Sequence, residues 1–183
     1  MYRLLILSLY IVAYVACQSE SPGTTPPIAT KDETARVDKL VQAIDATEDA
    51  VQVRKTYEAG DVTYKLQGTF LNEQLIRLVA NTRSEYFLDS QSWYFRQSKP
   101  IYYRQFYNQR DCGTTAPQHC LAETILYFDD TSIAKALRRT RNIDPTTQPS
   151  TFSTEVAQPF STNIDSLHAA LGAELDIYRD KIK

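Results

Sequence analysis

The chain has 183 residues, with 20 Lys and Arg against 22 Asp and Glu, and a formal net charge of −2. A slightly acidic chain lacks the strong positive field that general affinity for a nucleic-acid backbone needs, so no nucleic-acid partner is expected. The length is sufficient for one domain with a substantial hydrophobic core.

Residues 1–16 have the features of an export signal. Arg3 is followed by an apolar run, Leu4 to Ala16, in which Ser8 is the only strongly polar residue. A membrane-spanning helix needs about 20 apolar residues, whereas the apolar part of a secretory signal needs only about 7–15. The run is therefore predicted to be a signal peptide that directs export.

The end of this signal, Tyr14-Val15-Ala16-Cys17, resembles a bacterial lipobox. The resemblance implies cleavage before Cys17 and attachment of acyl chains such as palmitate to that cysteine. The protein would then be a lipoprotein held on the membrane of the bacterial cell envelope, with the outer membrane as the expected location. Cleavage after Cys17 by an ordinary signal peptidase is the alternative, and it would give a secreted soluble protein beginning at Gln18.

Residues 17–30 have the composition of a linker. They are rich in Ser, Thr, Pro and Gly and contain a single charge, Glu20. Such a segment cannot bury enough apolar surface to offset the entropy lost on ordering, so it is predicted to be a flexible tether. The predicted organisation is a signal peptide at 1–16, a lipidated cysteine with its tether at 17–30, and one domain at 31–183.

The domain is predicted to begin and end with a helix. A capping-box pattern starts at Thr30, and an apolar stripe at helical spacing follows it: Val37, Leu40, Val41 and Ile44. The second helix has a capping signal at Thr162 and Asp165, and its apolar face contains Ile164, Leu167, Leu171 and Leu175. Before it, the Pro- and Thr-rich residues 144–153 are predicted to be an exposed loop.

Between the helices the apolar period changes from 3.6 to 2, which is typical of β-strands. Val62 to Phe70 alternates strictly, and polar segments divide the rest into strands: Asp89-Ser90-Gln91-Ser92, Ser98-Lys99-Pro100 and Asp129-Asp130-Thr131. Ile133 to Leu137 is predicted as a strand, with a helix over Ile133 to Arg139 as the alternative. Short connections favour antiparallel neighbours. The predicted fold is α+β, an antiparallel β-meander of about seven or eight strands with both helices packed on one face.

Cys112 and Cys120 flank a short polar segment. An exported protein reaches an oxidising compartment, where such a pair can form a disulfide. A metal site that includes His119 is the alternative, but it lacks a second pair of ligands at zinc-like spacing. The sequence therefore predicts a disulfide and no metal site.

Motifs with a recognised chemistry are not found in the sequence, which has neither a nucleophile elbow nor a glycine-rich phosphate loop. Asp129 and Asp130 fit a β-turn better than a catalytic carboxylate pair, and His168 fits helix packing better than a general base. No cofactor and no enzymatic activity are expected. The alternative is a secreted or envelope hydrolase whose active site is assembled from scattered residues.

Aromatic residues are concentrated between Tyr86 and Phe128 and occur at both parities of the predicted strands. Successive side chains of a strand face opposite sides, so both sheet faces carry rings. One set is expected in the core, and the other is expected to form a binding face. The favoured binding set is Tyr94, Arg96, Tyr102, Arg104 and Phe106, because its rings share parity with the two arginines; Trp93, Phe95, Tyr103 and Tyr107 are the alternative set. Tyr and Arg are enriched at interfaces, so a protein, peptide or glycan partner is expected. Cross-strand ring pairing that only stabilises the sheet is the alternative.

Overall fold

The computed structural model describes residues 31–110, 112, 118–129, 132–143, 156–160 and 162–183. Helix α1 spans Lys31–Asp45 and helix α2 spans Ile164–Ile182. The strands between them are β1 (Val51–Ala59), β2 (Val62–Leu71), β3 (Gln74–Arg83), β4 (Phe87–Arg96), β5 (Lys99–Gln109), β6 (His119–Phe128), β7 (Ile133–Ile143) and β8 (Gln158–Pro159). The predicted signal peptide, Cys17, the tether, Thr30 and the loop at 144–153 lie outside the described residues.

The eight strands form one antiparallel sheet in which each strand pairs with the next along the chain. This confirms the predicted meander and, with the two helices, the α+β class. Two of the turns place both central residues at positive φ: Asn72 and Glu73 between β2 and β3, and Gln97 and Ser98 between β4 and β5. Turns of this kind match the twist of paired strands, which favours direct return of the chain beside the strand it has just left.

Strand β4 corrects one prediction. The segment Asp89-Ser90-Gln91-Ser92 was expected to interrupt the sheet, but β4 continues through it from Phe87 to Arg96. The polar residues look like a turn in the sequence, whereas in the fold Asp89 and Gln91 point into the interior beside Trp93 and hydrogen-bond there. Strand β7 likewise runs unbroken to Ile143, which decides for a strand over a helix in this region.

The main core lies between one face of the sheet and α2. Helix α2 contributes Leu171, Leu175, Tyr178 and Ile182, and the sheet contributes a set that includes Leu66, Leu78, Trp93, Phe95, Tyr103 and Leu126. Asn163 caps α2 by accepting a hydrogen bond from the backbone N–H of Ser166, so Asn163 has the capping role that was expected at Thr162. At Gly68 a methyl group would lie 2.9 Å from Ile182 Cγ1, so the missing side chain lets the end of α2 approach β2.

Helix α1 lies on the opposite face, which corrects the prediction that both helices share one face. Asp38 and Asp45 accept hydrogen bonds from the hydroxyls of Tyr127 and Tyr94. Each of these tyrosines follows a residue of the main core, Leu126 or Trp93, and therefore points to the other side of the sheet. Both faces carry rings, so both need cover, and strand parity alone does not say which helix covers which face. Across the described ranges, none of the helices has the length and apolar character required to cross a membrane.

Candidate functional site

The candidate site is the sheet face on the α1 side. Residues that pair across the strands form rows on this face, because directly opposed side chains of an antiparallel sheet point the same way. The row under α1, called here the tyrosine row, contains Gln52, Thr69, Arg77, Tyr94, Tyr102, Tyr127 and Lys135. The three rows beside it are called here the basic rows. The first includes Arg54 and Arg104, and the second includes Lys65, Phe106, Glu123 and Arg139. The third includes Glu58, Arg83 and Arg141.

The tyrosine row holds α1 against the sheet. Tyr94 is only 5% exposed, and its hydroxyl lies 3.0 Å from Asp45 Oδ1. The Tyr127 hydroxyl donates to Asp38 Oδ1 at 3.0 Å. Tyr102 stands between these two rings, with edge contacts at centroid distances of 5.6 and 5.3 Å. Because Asp38 and Asp45 are two helical turns apart, the two bonds fix both the position and the direction of α1 across the strands.

Arg77 strengthens the same contact. Its guanidinium lies 3.2 Å from Asp45 Oδ1 and 5.5 Å from the centre of the Tyr94 ring. Burial raises the pKa of Tyr94 to about 12, with Arg77 opposing that rise and Asp45 adding to it. The phenol therefore stays protonated at neutral pH and remains a hydrogen-bond donor to the helix.

The residues predicted to form a binding face are largely brought together, but they divide between two environments. Tyr94 and Tyr102 lie in the tyrosine row, where α1 covers them. Arg104 and Phe106 lie in the basic rows, and Phe106 is half-buried in a second, small apolar cluster. Arg96 is exposed at the end of β4. A binding role for these residues stays a prediction, and Tyr94 and Tyr102 also have the stabilising role of cross-strand ring pairs.

Glu123 forms the most charged cluster on this face. Its side chain is 1% exposed, and its Oε1 accepts from Arg104 Nε at 2.7 Å, with a second Arg104 nitrogen at 2.6 Å. Arg139 Nε bonds to the other carboxylate oxygen, Oε2. Two guanidinium groups thus bond to the two oxygens of one carboxylate. The side chain of Arg104 is 56% exposed, so its planar group is held in place by Glu123 while it faces solvent.

A second group of acids lies on the α2 side, inside the main core. Asp89 accepts hydrogen bonds from the amides of Gln91 and Gln105, at 2.9 and 3.0 Å. The same Gln91 nitrogen lies 3.0 Å from Glu174 Oε1 on α2, which also accepts from the Tyr178 hydroxyl at 2.7 Å. The amide of Gln91 therefore joins two carboxyl groups from opposite sides of the core.

Burial determines the protonation of these acids. It raises the pKa of Asp89 to about 7, against the lowering effect of Gln91 and with a further rise from the charge of Glu174. Burial also raises the pKa of Glu174. Close by, the Tyr103 hydroxyl and the Trp93 Nε1 are buried and make no hydrogen bond within the described part of the chain. Asp89 can therefore gain or lose a proton near neutrality in a dry environment.

Sequence reasoning missed this acid group because it assigned Asp89 and Gln91 to a turn. A signal was present: the two residues share the parity of Trp93, two positions further on, so the period of 2 continues across the polar segment. Glu174 was also missed, since it adjoins Leu175 on the helix and a lone acid there resembles a solvated residue.

The predicted cysteine pair is confirmed. Cys112 and Cys120 lie within disulfide-bonding distance, with Cα atoms 5.9 Å apart. Among the described residues, no group of three or more His, Cys, Asp or Glu side chains is arranged to hold a metal ion. His168 lies near Phe128, at a ring distance of 6.1 Å, which agrees with its packing role.

A shallow groove of about 420 Å³ lies where β7 meets β8. It is lined by Arg138, Arg139, Thr140, Val156, Gln158, Pro159 and Phe160. The Arg138 guanidinium lies 6.0 Å from the Phe160 ring centre. The groove is at the last and shortest strand of the sheet, away from the buried acids of the core.

Comparisons of this chain with protein-family models, with curated proteins and with solved structures found no match.

Proposed function

We propose that this protein is a lipid-anchored lipoprotein of the bacterial cell envelope whose domain has a non-catalytic binding role, exercised through the α1-side sheet face. The observation that carries the proposal is the charge of the basic rows, which hold six cations, Arg54, Lys65, Arg83, Arg104, Arg139 and Arg141, against two acids, Glu58 and Glu123. The whole chain has a net charge of −2, so the basic rows differ in sign from the chain as a whole. Complementary charge is a common basis of recognition.

The proposed location is supported by the sequence before the domain and by the cysteine pair. The lipobox-like segment places Cys17 where acylation would occur. Cys112 and Cys120 are at bonding distance, and disulfides persist in oxidising compartments outside the cytosol. An exported, membrane-attached protein accounts for both the lipobox-like segment and the cysteine pair, whereas a secreted soluble protein accounts only for the cysteine pair.

The location is tested by cell fractionation. The wild-type chain is expected in the membrane fraction and the Cys17→Ser chain in the exported soluble fraction. A wild-type protein found in the soluble fraction with Gln18 as its first residue would contradict the anchor.

The binding role is tested separately, with the Cys17→Ser chain added back to isolated envelope membranes. The double change Lys65→Glu and Arg83→Glu reverses two exposed charges of the basic rows and is expected to abolish retention. The control double change Lys55→Glu and Lys181→Glu reverses two exposed charges on the α2 side and should leave retention unchanged. If the two double changes reduce retention equally, a binding role for this face is contradicted.

A hydrolase is the second candidate, because paired carboxyl groups can divide acid and base roles. The pair formed by Asp89 and Glu174 is the feature that favours it. However, the Gln91 amide occupies the position between the two carboxyl groups, and Asp89 is only 5% exposed beneath α2. A substrate would have to displace that amide, so the binding role is the better-supported proposal.

A further inference from the structure

We propose that the partner of the basic rows is the anionic headgroup surface of the membrane, so that the α1-side face of the domain lies against phospholipids. This inference rests on the proposed function and names its ligand. It follows from the arrangement of the cations, from the way that Glu123 positions Arg104, and from the point at which the chain enters the domain.

The cations of the basic rows form a two-dimensional array. They lie on β1, β2, β3, β5 and β7, and strands about 4.8 Å apart give the array a width of about 29 Å. Its three rows are two residues apart along the strands, which adds a length of about 14 Å. A membrane presents negative charge over a surface, whereas a single strand of phosphates presents it along a line. The extent of this array in two directions fits a charged surface better.

The surroundings of the cations also favour headgroups over a single-stranded polymer. Proteins that bind single strands combine a basic groove with exposed rings on which bases stack. On this face, Tyr94 lies under α1 and Phe106 is half-buried in an apolar cluster. Lys65 and Arg83 are exposed on long side chains, which can reach phosphate groups at a membrane surface.

The anchor would bring this face to the bilayer. Helix α1 is the first element of the described part of the chain and begins at Lys31, 14 positions after Cys17, so the connecting chain spans at most about 50 Å. Since α1 packs on the same face as the basic rows, the anchored chain enters the domain on that side, and the tether lets this face reach the membrane.

The test uses the full chain with Cys17→Ser, purified from the exported fraction, and sedimentation with vesicles. Phosphatidylcholine vesicles containing phosphatidylglycerol are compared with phosphatidylcholine alone. Binding to the anionic vesicles only is expected, and it should be lost in 1 M salt, where the screening length is about 3 Å. The triple change Arg54→Gln, Lys65→Gln and Arg83→Gln should weaken binding by at least about 100-fold, since each cation near the surface contributes about fivefold.

The matched control is the triple change Lys55→Gln, Lys181→Gln and Lys183→Gln, which removes three exposed cations from the α2 side. This control variant has the same net charge as the first triple variant, and it should bind anionic vesicles with wild-type affinity. Urea unfolding of both triple variants confirms that each is folded.

Three outcomes overturn the inference. The chain binds neutral and anionic vesicles equally, or the two triple variants lose the same amount of vesicle binding. The third outcome is that the chain binds an immobilised acidic polysaccharide but does not bind anionic vesicles. The proposed function fails in a different way. If the Cys17→Ser chain binds isolated envelope membranes but not pure anionic vesicles, the headgroup assignment is wrong and the binding role stands.

Discussion

The two faces of the sheet each bury carboxyl groups, but they balance them by different means. On the α1 side, Glu123 is held by ion pairs with Arg104 and Arg139. On the α2 side, Asp89 is held by the amides of Gln91 and Gln105, and burial raises its pKa to about 7. The difference follows from access to water: Arg104 reaches Glu123 while facing solvent, whereas the interior under α2 favours a protonated acid.

Removing both cations from Glu123 is the strongest test of this comparison. The double change Arg104→Gln and Arg139→Gln leaves a buried carboxylate without compensation, and it is expected to lower the free energy of unfolding by about 3–5 kcal/mol. Adding Glu123→Gln should recover at least half of that loss, because the uncompensated charge is then removed. Urea unfolding of the three variants measures both effects, and a triple variant no more stable than the double variant would contradict the charge explanation.

The second prediction concerns pH. An unfolded Asp has a pKa of about 3.9, and that of folded Asp89 is about 7, so between these values the folded chain binds a proton that the unfolded chain lacks. The free energy of unfolding should therefore fall as the pH rises from about 4 to 7, by on the order of 4 kcal/mol from this group. The raised pKa of Glu174 acts in the same direction.

The change Asp89→Asn should remove most of this slope, measured as the difference from wild type in urea unfolding between pH 4.5 and 7.5. Asp176→Asn, at an exposed position of α2, is the matched control and should leave the slope as it is. If the Asp89→Asn chain keeps the full wild-type slope, Asp89 is not the titrating group.

A third prediction examines the amide between the two interior acids. Gln91→Leu leaves Asp89 and Glu174 without their shared donor and should cost about 1–3 kcal/mol at pH 7. The cost should be smaller at pH 5, where a protonated carboxyl can itself donate. Gln67→Leu on the α1 side is the control, expected within about 0.5 kcal/mol of wild type. A cost that does not depend on pH would point to lost packing instead.

The smallest effects are expected at the contacts of α1. Tyr94→Phe and Tyr127→Phe each remove one hydrogen bond to α1 and should cost about 1 kcal/mol. Amide exchange in α1 should accelerate in both variants, while exchange in α2 stays unchanged. Tyr86→Phe, at a side chain that is 56% exposed, is the control and should have almost no effect. Faster exchange in α2 as well would mean that the two faces are not independent.

Much of the fold was predictable because it depends on local patterns. Strict alternation from Val62 to Phe70 and the apolar spacing of Leu171 and Leu175 predicted β2 and the buried side of α2, and both are found. The pairing of Cys112 with Cys120 was predictable because the two residues are close in sequence. The resemblance of the segment at Cys17 to a lipobox is local in the same sense, and lipidation there stays a prediction.

The sequence by itself thus determined the meander, the two helices and the parity that places Tyr94, Tyr102, Arg104 and Phe106 on one face. Only the tertiary structure decided that α1 covers the tyrosines, since this contact joins Asp38 and Asp45 to residues 49 or more positions away. The same holds for Glu123 with its two arginines and for Asp89 with Glu174. Partners that are distant in the chain and share no period leave no local pattern, because they meet only when the strands and helices pack.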